Sequence, residues 1–496
     1  MTYSLRLFPE VEEDVESVTD VDMVIELTGL DDIIPDVYER FRPIVRDGVS
    51  FLLSEISPER FAAIVYALSE EDTAPGRLVR LAMEVPTLHK LGQTIARNQH
   101  IDSQFRNRLA ELENSVMKID ADVIEAIVVD ALGNWMSDHN VRLNYNVCYE
   151  ASVAAVVDFT CDTPHGSGIS GGVFKIIKPD VPQRLHEELE ILDALAAFYD
   201  AHRDDYDVDS FRFIETFADI KTALLTEIDL RNEQRNLKLA HCLYDGIRDV
   251  KIPRLDPASR DAVTVMELIR GEKITDAPLS TSRRKQCART LFVSLVCHPL
   301  FSGQHRSIFH GDPHAGNIYY CDHDGRIALL DWSLAGELDK SRRAAIMRLS
   351  LDIFTRDAGR IYNSTIALCE DGVGTGHVIR DEINRFVAEP SEGFIEQSLT
   401  LLDRLAIKGV KFPSDLLLFR KAIFTLKGVL QELDPDFDMD RPLVEFINAL
   451  LLCELPLRWF NLFFPLAEDA LMYKSLLSNS DLIRIAMEFV RLKQDS

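Results

Sequence analysis

At 496 residues, 46% of them hydrophobic and 27% charged, the chain is long enough to bury one or two cores and is neither a disordered nor a fibrous sequence. Its 54 Lys and Arg face 81 Asp and Glu, a net charge of −27 that repels nucleic-acid phosphates and anionic lipid headgroups. The eight cysteines are scattered without a CxxC pair, which excludes a disulfide scaffold or thiolate zinc site and fits buried thiols in a reducing compartment. The first twenty residues turn acidic where a secretory leader would be basic and then apolar.

In chain order, residues 21–135 carry apolar side chains at helical spacing with few glycines and predict an all-helical N-terminal region. From Cys148 to Phe159 the pattern becomes alternating and β-branched, a Gly-rich turn fills 163–172, and Gly172-Val-Phe-Lys-Ile-Ile-Lys reads as the returning strand of a hairpin. Helices are expected over 181–201 and 214–242, then a short strand from Val263 that ends in Arg270-Gly271, and a helix over 282–303. Asn317-Ile-Tyr-Tyr and Arg326-Ile-Ala-Leu-Leu read as strands flanking the turn at 322–325, and from Lys340 onward the pattern is helical. No run reaches the roughly 18 consecutive apolar residues of a membrane span. The nearest, 443–465, is interrupted by Glu445, Asn448, Glu454, Arg458 and Asn461 and reads as core or helix-docking surface; its Trp459-Phe460 patch reads as core, ahead of a lipid or partner contact. A cytoplasmic protein is expected, with peripheral contact to the inner membrane left open.

The densest chemical cluster is His310-Gly-Asp-Pro-His-Ala-Gly-Asn317, followed after one hairpin by Leu329-Leu-Asp331-Trp-Ser333. Phosphoryl transfer needs one carboxylate to orient the nucleophile, and an amide oxygen with a second carboxylate to hold magnesium on the phosphates. Asp312, Asn317 and Asp331 supply these groups in the order and spacing of a kinase catalytic loop and its metal-binding strand. Upstream, Lys175 lies on a strand where a kinase lysine would neutralise phosphates, and Glu227, Asp229 and Glu233 are each candidates to hold it by an ion pair. Met266-Glu267-Leu268 reads as the hinge between two lobes, with Glu267 at the nucleotide.

These residues bring a resemblance into view. Lys90-Leu-Gly-Gln93 resembles the KxGQ signature of the UbiB/AarF family of atypical kinase-like proteins, and Glu227-Ile-Asp229 with Glu233 resembles its ExD motif and lysine-pairing glutamate. Ala151-Ser152-Val-Ala154-Ala155 resembles its alanine-rich nucleotide loop, and 310–317 its catalytic loop, so the likeness spans about residues 85–340. It implies an α+β, bilobal protein-kinase-like fold with a helical KxGQ extension and a helical C-terminal region. Boundaries follow at 1–84 for a helical N-terminal region, 85–145 for the extension, 146–380 for the kinase-like domain and 381–496 for the C-terminal helices.

It further implies ATP and Mg2+ as cofactors, with Lys90 reaching into the site towards Glu227 and Asp331, Gln93 anchoring the extension, and Asp229 contacting it. Lys175 would bind phosphates and pair with Glu233, Asn317 and Asp331 would bind magnesium, and Ala151, Ser152, Ala154 and Glu267 would line the nucleotide. The implied activity is ATP hydrolysis or phosphotransfer in support of isoprenoid quinone or lipid metabolism, on a small-molecule, lipid or protein substrate and without nucleic acid. This sequence departs from the family at Tyr149-Glu150, Ala155 and Val157 in the nucleotide loop, and has Asp331-Trp-Ser333 in place of Asp-Phe-Gly. Two rival readings stand beside it: a small-molecule phosphotransferase of the aminoglycoside or choline kinase type, and a nucleotide-binding pseudokinase.

Overall fold

The structure is a computed structural model that describes residues 20–30, 39, 42–89, 120–150, 153–162, 171–206, 213–370, 375–389, 393–463 and 470–494. Lys90, Gln93, Ala151 and Ser152 lie outside the described residues. The chain divides into two compact units, one of residues 1–118 and 178–224, the other of residues 119–177 and 225–496.

The first unit holds helices α1 (Asp20–Thr28), α2 (Arg42–Glu55), α3 (Pro58–Ser69) and α4 (Ala74–Glu84). Val24, Leu52, Leu53, Ile64, Leu68 and Leu81 of these helices form its core. α4 starts where the Thr73 hydroxyl accepts the Gly76 N–H at 3.1 Å, an ordinary N-cap. After a second-unit helix, α5 (Ala121–Asp138), and three strands, the chain returns to the first unit as α6 (Asp180–Ala201). There the fully buried Glu188 accepts the Thr87 N–H at 2.8 Å and pairs with Arg60, so its charge is met on both oxygens.

The second unit is built on an antiparallel sheet in the order β1-β2-β3-β5, of β1 (Arg142–Glu150), β2 (Ala154–Thr160), β3 (Gly171–Ile177) and β5 (Val263–Met266). Alternation along the strands separates its faces. Ala155, Val157, Phe159, Phe174, Ile176, Val263 and Val265 pack with Ile124, Val128 and Leu132 of α5. The opposite face carries two cross-strand rows, Val156, Lys175 and Thr264, then Asp158, Val173 and Met266. The single strand expected over 148–159 is therefore two strands of a hairpin, with Glu150 opposite Ala155.

Between β3 and β5 lie α6, α7 (Phe213–Glu227) and α8 (Leu230–Tyr244). The single helix expected over 214–242 is broken at Ile228-Asp229, because the Asp229 carboxylate leaves the helix to accept the Asn232 N–H at 3.0 Å and cap α8. The chain continues through the short strands β4 (Val250–Lys251) and β6 (Glu272–Lys273) to α9 (Thr281–Phe292), which runs into a π turn at Val293–Cys297. Next come β7 (Arg306–His310), β8 (Ile318–Tyr320), β9 (Ile327–Leu329) and β10 (Ala335–Asp339). β7 and β10 are not legible as strands in the sequence; they pair antiparallel, with Ala335 opposite His310.

Seven helices complete the unit: α10 (Lys340–Phe354), α11 (Ala358–Ile366), α12 (Gly376–Ala388), α13 (Phe394–Ile407), α14 (Ser414–Leu433), α15 (Asp440–Phe463) and α16 (Asn479–Gln494). The Trp459-Phe460 patch, expected as core, is exposed at 67% and 52%, while Glu454, Arg458 and Asn461 on the same helix are buried. α15 turns its polar stripe inward because Arg458 donates to Glu454 at 2.7 Å, to Ser475 at 2.8 Å and to the Leu477 carbonyl at 2.9 Å. Among the described residues no helix is long and apolar enough to cross a membrane.

Candidate active site

Lys175 projects from the centre of β3 on the face opposite α5, and is buried at 7% exposure. Its ammonium lies 2.7 Å from Glu233 Oε1 and 3.6 Å from Asp331 Oδ1. Of the three candidate partners, α8 thus presents Glu233. Asp229 spends its carboxylate on the N-cap, and Glu227, at the end of α7, acts on Lys175 through its field. Burial alone would discharge the lysine, but the Asp331 and Glu233 carboxylates override it and hold the ammonium charged far above its ordinary range.

Asp331 follows the β8–β9 hairpin with φ of +48°, a left-handed conformation that Asp tolerates better than most residues. Burial pushes its carboxyl up, but Lys175 and the Ser333 hydroxyl and N–H outweigh it and hold Asp331 well below the usual carboxylate range. The Ser333 hydroxyl and N–H both donate to Asp331 Oδ1, at 2.6 and 3.1 Å. The residue that replaces glycine in this segment therefore steadies the carboxylate. Asp331 is the open member of the trio, its side chain 38% exposed against 9% for Lys175 and 2% for Glu233.

The Asp331-Trp-Ser333 backbone is latched to α8. Asn232 Nδ2 donates to the Ser333 carbonyl at 3.0 Å and Asn236 Nδ2 to the Trp332 carbonyl at 2.9 Å, from the turns that carry Glu233. Trp332 is fully buried, with Tyr244 at 6.0 Å and His310 at 4.8 Å between ring centroids. One helix thus positions both partners of the lysine.

The β7–β10 pairing brings this segment back beside the catalytic loop. Gly311 N–H donates to the Leu334 carbonyl and Leu330 N–H to the Asn317 carbonyl, at 2.9 and 2.8 Å. Any Cβ on Gly311 would stand 2.9 Å from that Leu334 oxygen, so only glycine fits. His310 ties the two strands together: Nε2–H donates to the Leu330 carbonyl at 2.9 Å, and Nδ1 accepts the Asp312 N–H at 3.2 Å. Those partners fix the neutral tautomer, and burial lowers the His310 pKa, so the ring serves as a neutral brace. Asn317 Nδ2 donates to the Asp312 carbonyl at 3.1 Å, closing the loop between them and turning the carboxamide oxygen into the available ligand atom.

Asp331 and the Asn317 oxygen are the groups here that suit magnesium. Among the described residues no cluster of three or more His, Cys, Asp or Glu side chains could hold a metal. Two protein ligands, with the remainder from phosphate and water, is the ordinary way magnesium is held at a phosphoryl-transfer site.

The remaining expected residues divide. Ala154 is buried on the same face of β2 as Val156 and Asp158. Glu267 follows β5, but its carboxylate is held 2.7 Å from Lys251 and 3.3 Å from Arg254, and its N–H donates to the Arg254 carbonyl at 2.9 Å, so both are spent on the protein itself. Asn232, Asn236, Ser333 and His310 were not singled out as positioning residues in the sequence, since each acts on a segment distant along the chain or through a backbone bond. Asp158, also unforeseen, faces the Lys175 side of the sheet. One of its oxygens is shielded without a hydrogen-bond partner, and burial raises its pKa against the pull of Arg270.

Comparison with known proteins matches residues 111–365 to the ABC1 atypical kinase-like domain. Among curated proteins, the chain is 26% identical over 442 residues to the "Probable protein kinase UbiB" of Xanthomonas euvesicatoria pv. vesicatoria, covering 82% of this chain and 77% of that one. The protein of the same name from Haemophilus ducreyi is 24% identical over 439 residues, covering 85% and 78%. Among solved structures, a Mycobacterium tuberculosis protein in complex with erythromycin superposes with a TM-score of 0.44 at 18% identity, over 70% of this chain and 87% of that one. The matched domain, 255 residues from 111 to 365, spans half of the 496-residue chain and contains Lys175, Glu233, Asp312, Asn317 and Asp331; the protein belongs to the ABC1 atypical kinase-like family, with an α+β kinase-like fold.

Proposed function

We propose that this protein is an ATP- and magnesium-dependent phosphoryl-transfer enzyme whose chemistry is hydrolysis or transfer of the ATP γ-phosphate. The observation that carries the reading is the Lys175 ammonium held between Glu233 and Asp331, beside a catalytic loop closed by the Asn317 to Asp312 bond. Magnesium, when bound, would neutralise phosphate charge; Asp331 and Asn317 are the residues that would hold it. Lys175 would neutralise phosphate oxygens, Glu233 would orient Lys175, and Asp312 would orient the attacking hydroxyl or water. Ala154 and Glu267, with Ala151 and Ser152, would line the nucleotide. Lys90, Gln93, Glu227 and Asp229 would form the extension's contacts in the family manner, with the extension at 85–145, the kinase-like domain at 146–380 and C-terminal helices from 381.

Isoprenoid quinone or lipid metabolism is the proposed setting, on the family resemblance of the Lys90-to-Gln93 and Glu227-to-Asp229 motifs. The test is ATP hydrolysis by the purified full-length chain with magnesium, with and without liposomes or a phenolic quinone-precursor mimic. Asp312→Asn is expected to bind ATP as the unmodified chain does and to lose turnover about 100-fold or more. Nucleotide binding without turnover under every condition would favour the pseudokinase, and turnover that requires a hydroxylated small molecule would favour the aminoglycoside-type reading. Ser333→Ala removes one of two donors to Asp331 and is expected to raise the magnesium needed for half-maximal hydrolysis about fivefold, near 1 kcal/mol. A magnesium titration that superposes on that of the unmodified chain would refute the role given to Ser333.

A further inference from the structure

The C-terminal helices enclose a second polar concavity, made from elements the phosphoryl-transfer cleft does not use. A cavity of about 400 Å3 opens between α10, α11, the short turn Ala470–Met472 and the start of α16. Arg348, Arg360 and Arg484 line it, against two carboxylates, Asp352 and Asp481. Guanidiniums outnumber carboxylates in this lining, whereas the chain as a whole carries 81 acidic and 54 basic residues.

The two carboxylates are already engaged. Asp352, 2% exposed, accepts from Arg484 Nη1 at 2.7 Å and from the Ser364 hydroxyl; Asp481 lies 3.4 Å from Arg484 Nη2. These contacts orient the Arg484 guanidinium and leave its Nε–H shielded from solvent with no acceptor. A buried donor without an acceptor is destabilising, and a ligand oxygen would remove that cost. Arg348 is exposed and makes no ion pair or hydrogen bond among the described residues. Arg360 pairs with Asp357, the N-cap of its helix, at 3.1 Å, both side chains about half exposed, a contact worth little in water. Two guanidiniums free to reorient and a third with an unfilled donor therefore face one cavity, whose volume suits a compact ligand. The planar fork of arginine matches phosphate oxygens two at a time.

We propose that this cavity binds a small phosphate-bearing metabolite, clamped by Arg348 and Arg360 and received by the Arg484 Nε–H. The site is independent of the phosphoryl-transfer reading, since none of its residues belongs to that cleft. The test is isothermal titration calorimetry of the full-length chain with inorganic phosphate and with glycerol 3-phosphate, in buffer without magnesium. Binding is expected in the unmodified chain, weakened at least about tenfold in the Arg348→Gln, Arg360→Gln double variant. Asp331→Asn, altered only in the other cleft, is expected to bind both probes as the unmodified chain does. No binding up to about 10 mM, equal binding by the double variant, or loss of binding in Asp331→Asn would each overturn the proposal.

Discussion

Asp331→Asn is expected to lower magnesium-dependent ATP hydrolysis by the full-length chain roughly 100- to 1000-fold, and to remove the magnesium dependence of nucleotide binding. The substitution is conservative in every respect but charge. Asparagine tolerates the left-handed backbone that Asp331 adopts at φ +48°, and its carboxamide oxygen can still accept from Ser333. Glu233 remains 2.7 Å from Lys175, so the lysine keeps a partner and the unit keeps its fold. What disappears is the one exposed anion of the trio, the group that would meet a divalent cation. Nucleotide binding and hydrolysis measured across a magnesium titration decide the matter. Asp312→Asn is the comparison: if both variants lose binding alike, or if Asp331→Asn binds magnesium nucleotide normally, the division of roles between these carboxylates is wrong.

The second large effect is on stability. Arg458→Leu is expected to destabilise the second unit by about 3–5 kcal/mol, read as a lowered denaturant midpoint of the full-length chain. Both side chains of the pair are nearly inaccessible, Arg458 at 5% and Glu454 at 7%. Removing the guanidinium strands a buried carboxylate whose remaining donors are the Ser475 N–H and hydroxyl, and also releases the Leu477 carbonyl. Replacing both members, as Glu454→Met with Arg458→Met, should recover more than half of the loss, because no uncompensated charge stays inside. A double variant as unstable as Arg458→Leu would show that the guanidinium over Tyr473, its Cζ 3.9 Å from the ring centroid, matters more than the charge pair.

The second half of α15, where a polar stripe turns inward, illustrates why some features escape a reading of the sequence. Over 443–465 the apolar residues outnumber the polar ones, and transfer energetics assign the apolar ones to the interior. That holds for Leu443, Phe446 and Leu450, but in the later turns the buried face was decided by Ser475, Leu477 and Asn479, whose polar groups meet Arg458 from a segment 17 or more residues further on. The break between α7 and α8 escaped for a milder reason. Helical periodicity continues across Ile228-Asp229, and only the cap bond to Asn232 shows that the aspartate has left the helix.

The order of Asp312, Asn317 and Asp331, the hairpin strand bearing Lys175 and the helical C-terminal region were all determined by the sequence alone. Each depends on local chemistry, a loop closed over five residues or a side-chain period of two or 3.6. The tertiary structure decided which carboxylate holds Lys175, that Asn232 and Asn236 latch the Asp331 segment to α8, and that β7 and β10 pair to set Asp331 beside the catalytic loop. It also decided that Arg484 shares one cavity with Arg348 and Arg360, from a helix more than a hundred positions further on. Such contacts join residues tens to more than a hundred positions apart, so their partners are chosen by how the helices and sheets pack, a choice that no local spacing in the chain records.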